Sequence, residues 1–165
     1  AARGRKMPSG TLRHGRVAIA TGRVNPRRAA RDIITDVREA ADAEGTPLGS
    51  DPVVRDTVAD LWGRSLIHYL IGQRVVAVAD GDGAPGPVTS IGKLYFAPLV
   101  EDLADFRLSL APLGGQLAVE ETDDVTARWL RLAYQSRGTA IAGGSTFIQR
   151  NIVAERMLGM PRSGS

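Results

Sequence analysis

The sequence contains no cysteine, which excludes disulfide bridges and thiolate metal sites and leans towards a reducing compartment. No run of about 18 apolar residues occurs, so no membrane-spanning helix is expected. The nearest candidate, around Leu66 to Ala79, is broken by His68, Gln73 and Arg74. The start lacks a signal peptide pattern, because Arg3, Arg5 and Lys6 lead into no apolar core. A cytoplasmic location is the expectation. With only His14 and His68, and no nucleophile turn, no Ser-His-Asp relay can be assembled. No metal site is expected either. Acidic residues are missing before Asp32, whereas nine arginines and lysines lie between Arg3 and Arg31. These nine exceed the net charge of +3, so the rest of the chain is net acidic. A basic leading third attracts phosphates, on a nucleic acid or on coenzyme A, or serves as a solvated arginine face. Lysine is itself scarce: of 21 basic residues only Lys6 and Lys93 are lysines.

What remains is an ordinary globular composition of 165 residues, 43% hydrophobic and 24% charged, enough for one core. Strand signals are nearly absent and helical spacing dominates. A first helical region covers about Leu12 to Ala43, and Asn25-Pro26 should kink or split it, since proline lacks a donor N–H. Gly45-Thr46-Pro47 with Gly49 makes a turn, after which Asp51 caps a helix with Pro52 at its first position. Val54, Val58, Leu61, Trp62, Ser65, Leu66 and Tyr69 recur at three and four residues along it. The pattern continues to about Ala79, some 45 Å of helix at 1.5 Å per residue.

Asp80 to Pro87 reads as a loop. A third helix, bent at Pro98, spans about Ser90 to Leu110, with Ile91, Leu94, Leu99, Leu103, Phe106 and Leu110 inward. Gly114-Gly115 ends it. A short helix follows from about Val125 to Ser136, capped by Asp123-Asp124. The last runs from Ser145 or Thr146 to Leu158, with Ile148, Ile152, Val153 and Met157 inward. Trp62, Trp129, Tyr95 and Tyr134 occupy core or interface spacing, and Glu120 and Glu121 solvate a loop. His68 is expected to be a satisfied, partly buried side chain, and His14 a surface residue. The fold class is therefore all-α, an antiparallel four-helix bundle with an additional short helix. A basic lead segment, 1–11, precedes a single helical-bundle domain, 12–162.

Chemistry concentrates at Ala140-Ile141-Ala142-Gly143-Gly144-Ser145-Thr146, which leads straight into the last helix. Paired glycines allow close backbone approach to a ligand, and the helix start presents free N–H groups. It is no phosphate-binding P-loop, because no Gly-Lys-Ser/Thr follows. The wider string, Ile141 to Gly159 with Gly143-Gly144-Ser145-Thr146-Phe147-Ile148-Gln149-Arg150-Asn151 at its head, resembles the C-terminal signature of acyl-CoA dehydrogenases. Gly15-Arg16-Val17-Ala18-Ile19-Ala20 is similar to the start of that family's C-terminal domain. Gly45, Pro47 and Leu48 fall on its Phe-Gly-x-Pro-Leu turn, and Ala59-Asp60 on its Leu-Ala-Asp-Met segment. The resemblance spans about residues 12 to 162. Because the family's other two domains are missing and the first residue is Ala, it implies a piece of a longer three-domain chain.

The resemblance implies a four-helix bundle, FAD as cofactor, an acyl-CoA substrate and α,β-desaturation of the thioester. It places Gly114, Gly115, Ser145, Thr146 and Phe147 among the flavin contacts, and Arg16 and Gly144 with the substrate. Departures from the family are equally specific. Its catalytic glutamate position holds Gly143, and the alternative base position on the domain's first helix holds Gly15. Glycine cannot accept a proton. The Arg-x-x-Phe-Gly turn reads Ala41-Asp42-Ala43-Glu44-Gly45, so a phosphate-pairing arginine is lost and Glu44 opposes a pyrophosphate. Ala111 replaces the glutamine of the Gln-x-x-Gly-Gly element, and Phe147 a polar flavin contact. The expectation is a homo- or hetero-oligomer of acyl-CoA dehydrogenase subunits in which this domain supplies no base. The electron acceptor is unassigned. The alternatives are an active enzyme with a displaced base, or a basic helical module with Arg23, Arg27, Arg28 and Arg31 along a nucleic acid.

Overall fold

The computed structural model describes residues 24–82, 86–111, 119 and 123–162. Among them lie five α-helices, one short 3₁₀ turn (Leu48–Ser50) and no strand. The helices are α1 (Pro26–Glu39), α2 (Pro52–Asp82), α3 (Val88–Ser109), α4 (Asp124–Ile141) and α5 (Thr146–Met157). The all-α class expected from periodicity is the one observed. The chain gathers into two compact units, one of Val24–Tyr69 and Leu99–Tyr134, the other including Leu70–Pro98 and Gln135–Ser165.

Local chemistry explains where each helix begins. At the expected break, Asn25 is the N-cap of α1, its side chain accepting from Arg28 N at 3.2 Å, with Pro26 in the first turn. Proline suits that place because the first N–H groups of a helix have no internal partner. Asp51 opens α2 in the same way, accepting from Val53 N at 2.7 Å. Between α1 and α2, Asp42 accepts from Glu44 N (3.1 Å) and Thr46 N (2.7 Å), which builds the expected turn around Gly45. Asp123 caps α4, accepting from Thr126 N at 2.9 Å. Hydrogen bonds from Thr126, side chain and backbone, hold the Asp123 carboxyl below the usual carboxylate range.

Several boundaries shift from expectation. α2 continues to Asp82 instead of stopping at Ala79, α3 starts at Val88, and α4 extends five residues beyond Ser136. Glycine at 81 and 138 weakened the sequence signal, but a glycine costs a helix only about 1 kcal/mol and packing outweighs it.

In the first unit the core is Ala29, Ala30, Ile33 and Val37 of α1, Leu61 of α2, Leu99, Val100, Leu103 and Ala104 of α3, and Ala127, Trp129 and Leu130 of α4. Each fully buried aliphatic side chain contributes roughly 1.5–3 kcal/mol. Three cross-helix ion pairs set the register of these segments. Asp36 and Asp32, one turn apart on α1, bind Arg107 of α3 (2.5 Å) and Arg128 of α4 (2.8 Å). Arg64 of α2 binds Asp102 of α3 at 2.6 Å. Exposed pairs contribute about 0–1 kcal/mol, so they specify alignment more than stability.

The face of α2 differs from expectation. Leu61, Ser65, His68 and Val75 are buried, whereas Leu66 and Tyr69 are exposed. Tyr69 lies outward beneath the Arg27 guanidinium, 4.4 Å from its ring centre. His68 is buried as expected, and burial pushes its imidazole below its ordinary pKa. Tyr134 is exposed and Trp129 is fully buried. In the second unit the buried set is more polar: Val75, Val88, Phe96 and Ala97 sit with Thr89, Ser90, Lys93, Ser136 and Gln149.

Candidate functional site

The glycine pair closes the short link between α4 and α5. Gly143 and Gly144 both take positive φ, +74° and +109°, which glycine alone adopts without strain. Gly144 N donates to Ile141 O at 3.3 Å, closing the end of α4. Ser145 is the N-cap of α5, and its hydroxyl oxygen accepts from Ile148 N at 3.5 Å, a long contact that leaves its O–H free to donate.

Two buried polar side chains hold this link from beneath. Lys93 of α3, 3% exposed, donates from Nζ to Ala140 O at 3.2 Å and to Gly144 O. Gln149 of α5, fully buried, donates from Nε2 to Gly143 O at 2.8 Å. Its Oε1 is buried without a partner. Three carbonyls of one link are thus gripped by two side chains from different helices. A cavity of about 20 Å³, lined by Lys93, Leu94, Ala97, Pro98, Ala140, Thr146 and Gln149, lies alongside. That is room for little more than one water molecule.

The grip also explains why residue 144 must be glycine. A Cβ there would stand 2.8 Å from Gln149 Nε2, at a φ that side chains rarely adopt. Burying the Lys93 stem and ammonium costs about 2 kcal/mol of side-chain entropy before desolvation. Charge-assisted hydrogen bonds, about 1.5–3 kcal/mol each, offset this, and the cation lies at the C-terminal end of α4 where the helix dipole favours it.

The upper side of the link is open. Thr146 is exposed, Phe147 is 76% exposed, and Ile141 and Ile148 are exposed beside them. The expectation that Ile148 and Met157 face inward is therefore corrected: both are exposed, and the buried residue of α5 is Gln149. Ile152 and Val153 are half-buried. Gly143, Gly144, Ser145, Thr146 and Phe147 are brought together in one surface element. Gly15, Arg16, Gly114 and Gly115, together with His14, lie outside the described residues. Glu44 is exposed on its turn. Among the described residues no group of three or more His, Cys, Asp or Glu is placed to hold a metal, and no helix is long and apolar enough to cross a membrane.

Sequence reasoning assigned no role to Lys93 and read Gln149 only as part of a motif. One signal was available. Lys93 is the single lysine after residue 6 and stands four residues before Ala97 and seven before Val100, on the stripe that α3 buries. A lysine on such a stripe needs acceptors near its head, and here they are carbonyls.

Residues 2–158 match the family described as acyl-CoA dehydrogenase, C-terminal domain, and the chain belongs to that family. Among individual relatives, acyl-CoA dehydrogenase IpdE1 of Mycolicibacterium smegmatis is 34% identical over 122 residues, covering 73% of this chain and 29% of that protein. Acyl-CoA dehydrogenase FadE34 of Mycobacterium tuberculosis is 26% identical over 161 residues, covering 96% of this chain and 20% of its own length. The chain thus spans less than a third of these relatives.

Solved structures share the fold. The Tcur3481-Tcur3483 steroid acyl-CoA dehydrogenase G363A variant superposes with a TM-score of 0.79 at 22% identity, over 96% of this chain and 40% of that one. The ChsE4-ChsE5 complex of Mycobacterium tuberculosis gives 0.73 at 20% identity, over 84% and 36%. A glutaryl-CoA dehydrogenase from Mycobacterium smegmatis in complex with FADH2 gives 0.75 at 18%, over 93% and 38%.

Proposed function

We propose that this domain builds part of a flavin and acyl-CoA site in an oligomeric, FAD-dependent acyl-CoA dehydrogenase, and that it supplies no catalytic base there. The observation that carries this is Gly143. By the resemblance it occupies the family's glutamate position, and it lies at φ +74° on a link held by the Lys93 ammonium and the Gln149 amide. The remaining base must come from a sister subunit or from another part of the enzyme. One structural relative is named as a complex of two proteins, ChsE4-ChsE5, and another carries the paired name Tcur3481-Tcur3483, which favours the sister subunit. A steroid-derived or fatty acyl-CoA thioester is the substrate class in keeping with these relatives.

The residues present fit one edge of a flat ring system. Ser145 offers a hydroxyl hydrogen, Thr146 a second hydroxyl, and Phe147 an exposed ring at the start of α5. FAD, when bound, accepts the hydride from the substrate β-carbon. The chain's own part is to present the hydroxyls and peptide groups of the link, to approach the thioester closely through side-chain-free Gly143 and Gly144, and to exclude water with Ile141, Phe147 and Ile148. No proton moves to residue 143. The large exposed apolar side chains at the end of α5, Met157 and the C-cap Leu158, suit burial against further protein.

The test is the FAD content of the purified protein, alone and co-expressed with a homologous acyl-CoA dehydrogenase subunit. Half-stoichiometric flavin that appears only in the mixed complex is the expected result. One flavin per chain in the protein alone, with full dehydrogenase activity, would overturn the shared-site proposal and favour a displaced base.

A further inference from the structure

We propose that Lys93 is the positioning residue of this site: its buried ammonium staples the Gly143-Gly144 link and thereby sets the groups that meet the thioester and the flavin edge, without touching either. The inference rests on the assignment of the link to the flavin and acyl-CoA site. Three observations lead to it. Nζ bridges Ala140 O, in the last turn of α4, and Gly144 O, immediately before the cap of α5. One charge on α3 therefore ties the end of one helix to the start of the next. Gln149 takes the carbonyl between them, at Gly143. The support is enclosed, with Lys93 3% and Gln149 0% exposed, while Thr146 and Phe147 above it are open.

The residue type agrees. In a chain where arginine outnumbers lysine nineteen to two, this position holds a lysine. An ammonium is a compact donor that can serve convergent carbonyls, whereas the planar fork of arginine suits carboxylates and phosphates. Both glycines sit at positive φ, where the backbone has several accessible conformations and needs an external constraint to hold one. With the carbonyls pinned below, the peptide planes of residues 143 and 144 have a single orientation. Misplacement of such groups by about 1 Å costs on the order of a hundredfold in rate.

The experiment compares Lys93→Met and Lys93→Arg with the unaltered protein, each in complex with its flavin-binding partner. Three quantities are read: bound FAD with its visible absorption spectrum, the separate KM and kcat for an acyl-CoA, and amide exchange across residues 140–146. For Lys93→Met, flavin should remain bound, exchange in the link should rise, and the substrate-induced change in the flavin spectrum should weaken. kcat should fall about 10–100-fold while KM moves less than about threefold. Lys93→Arg should fall between, since it keeps the charge but not the fit. A Met variant with wild-type exchange, spectrum and kcat overturns the inference while leaving the site assignment intact. If Lys93→Met does not fold, Lys93→Arg is judged on the same readings, and wild-type values there overturn it equally. An unaltered complex that binds no flavin and turns over no acyl-CoA refutes the site assignment, and the inference falls with it.

Discussion

Replacing Gly144 by alanine tests whether the link is held as described. Two separate penalties act. The new Cβ would stand 2.8 Å from Gln149 Nε2, so the amide must retreat from Gly143 O, to which it donates at 2.8 Å. Losing that bond inside a fully enclosed site costs about 1–3 kcal/mol, because Gln149 then has neither end of its amide satisfied. The φ of +109° adds about 1–2 kcal/mol for an L side chain. The expected total is about 2–5 kcal/mol, or roughly 4–20 °C in melting temperature for a chain of this size. Thermal and denaturant unfolding measure it directly. Gln149→Ala removes the clash, so the double variant should be destabilised by less than the sum of the single changes. A Gly144→Ala protein within about 0.5 kcal/mol of the unaltered one would refute the reasoning, since surface-like tolerance is incompatible with the packing described.

Two further outcomes follow from the first compact unit. Leu103→Ala empties a completely buried position on α3 and should cost about 2–5 kcal/mol by chemical denaturation, with little change in helical circular dichroism. A loss below about 1 kcal/mol would mean that the core is not closed there. His68 should make stability depend on pH. Burial lowers its folded pKa, so folding favours the neutral ring. Its contribution is complete above the ordinary value of about 6.5 and is lost as the pH falls below that value, when the unfolded chain takes up the proton first. Unfolding curves from about pH 8 down to about pH 5 should lose less stability in His68→Gln than in the unaltered protein. Parallel curves for the two would show that His68 contributes nothing to the slope.

Helix spacing, the caps and the family were legible in the residues because each depends on local rules. Asp51-Pro52 and Asp123 open helices where their side chains can reach free N–H groups a few residues on, and Asn25, read only as a break before Pro26, does the same. The Ile141–Gly159 string carried enough identity to name the class. Less legible was which side of a helix turns inward. Along α2, Leu66 and Tyr69 fit an apolar pattern as well as Ser65 and His68 do, yet the latter pair is buried. Along α5, Ile148 and Met157 look like core, and Gln149 takes that place.

The physical reason is that hydrophobicity along a sequence measures what a residue gains from burial anywhere, not which neighbours stand opposite. Gln149 is buried because Gly143 O, six residues earlier, needs a donor. Lys93 is buried because two carbonyls near residues 140 and 144 converge on one point. Those demands exist only once α3, α4 and α5 are assembled. The sequence by itself determined the all-helical class, the family and most of the helix caps. Only the tertiary structure decided that a lysine and a glutamine would hold the Gly143-Gly144 link.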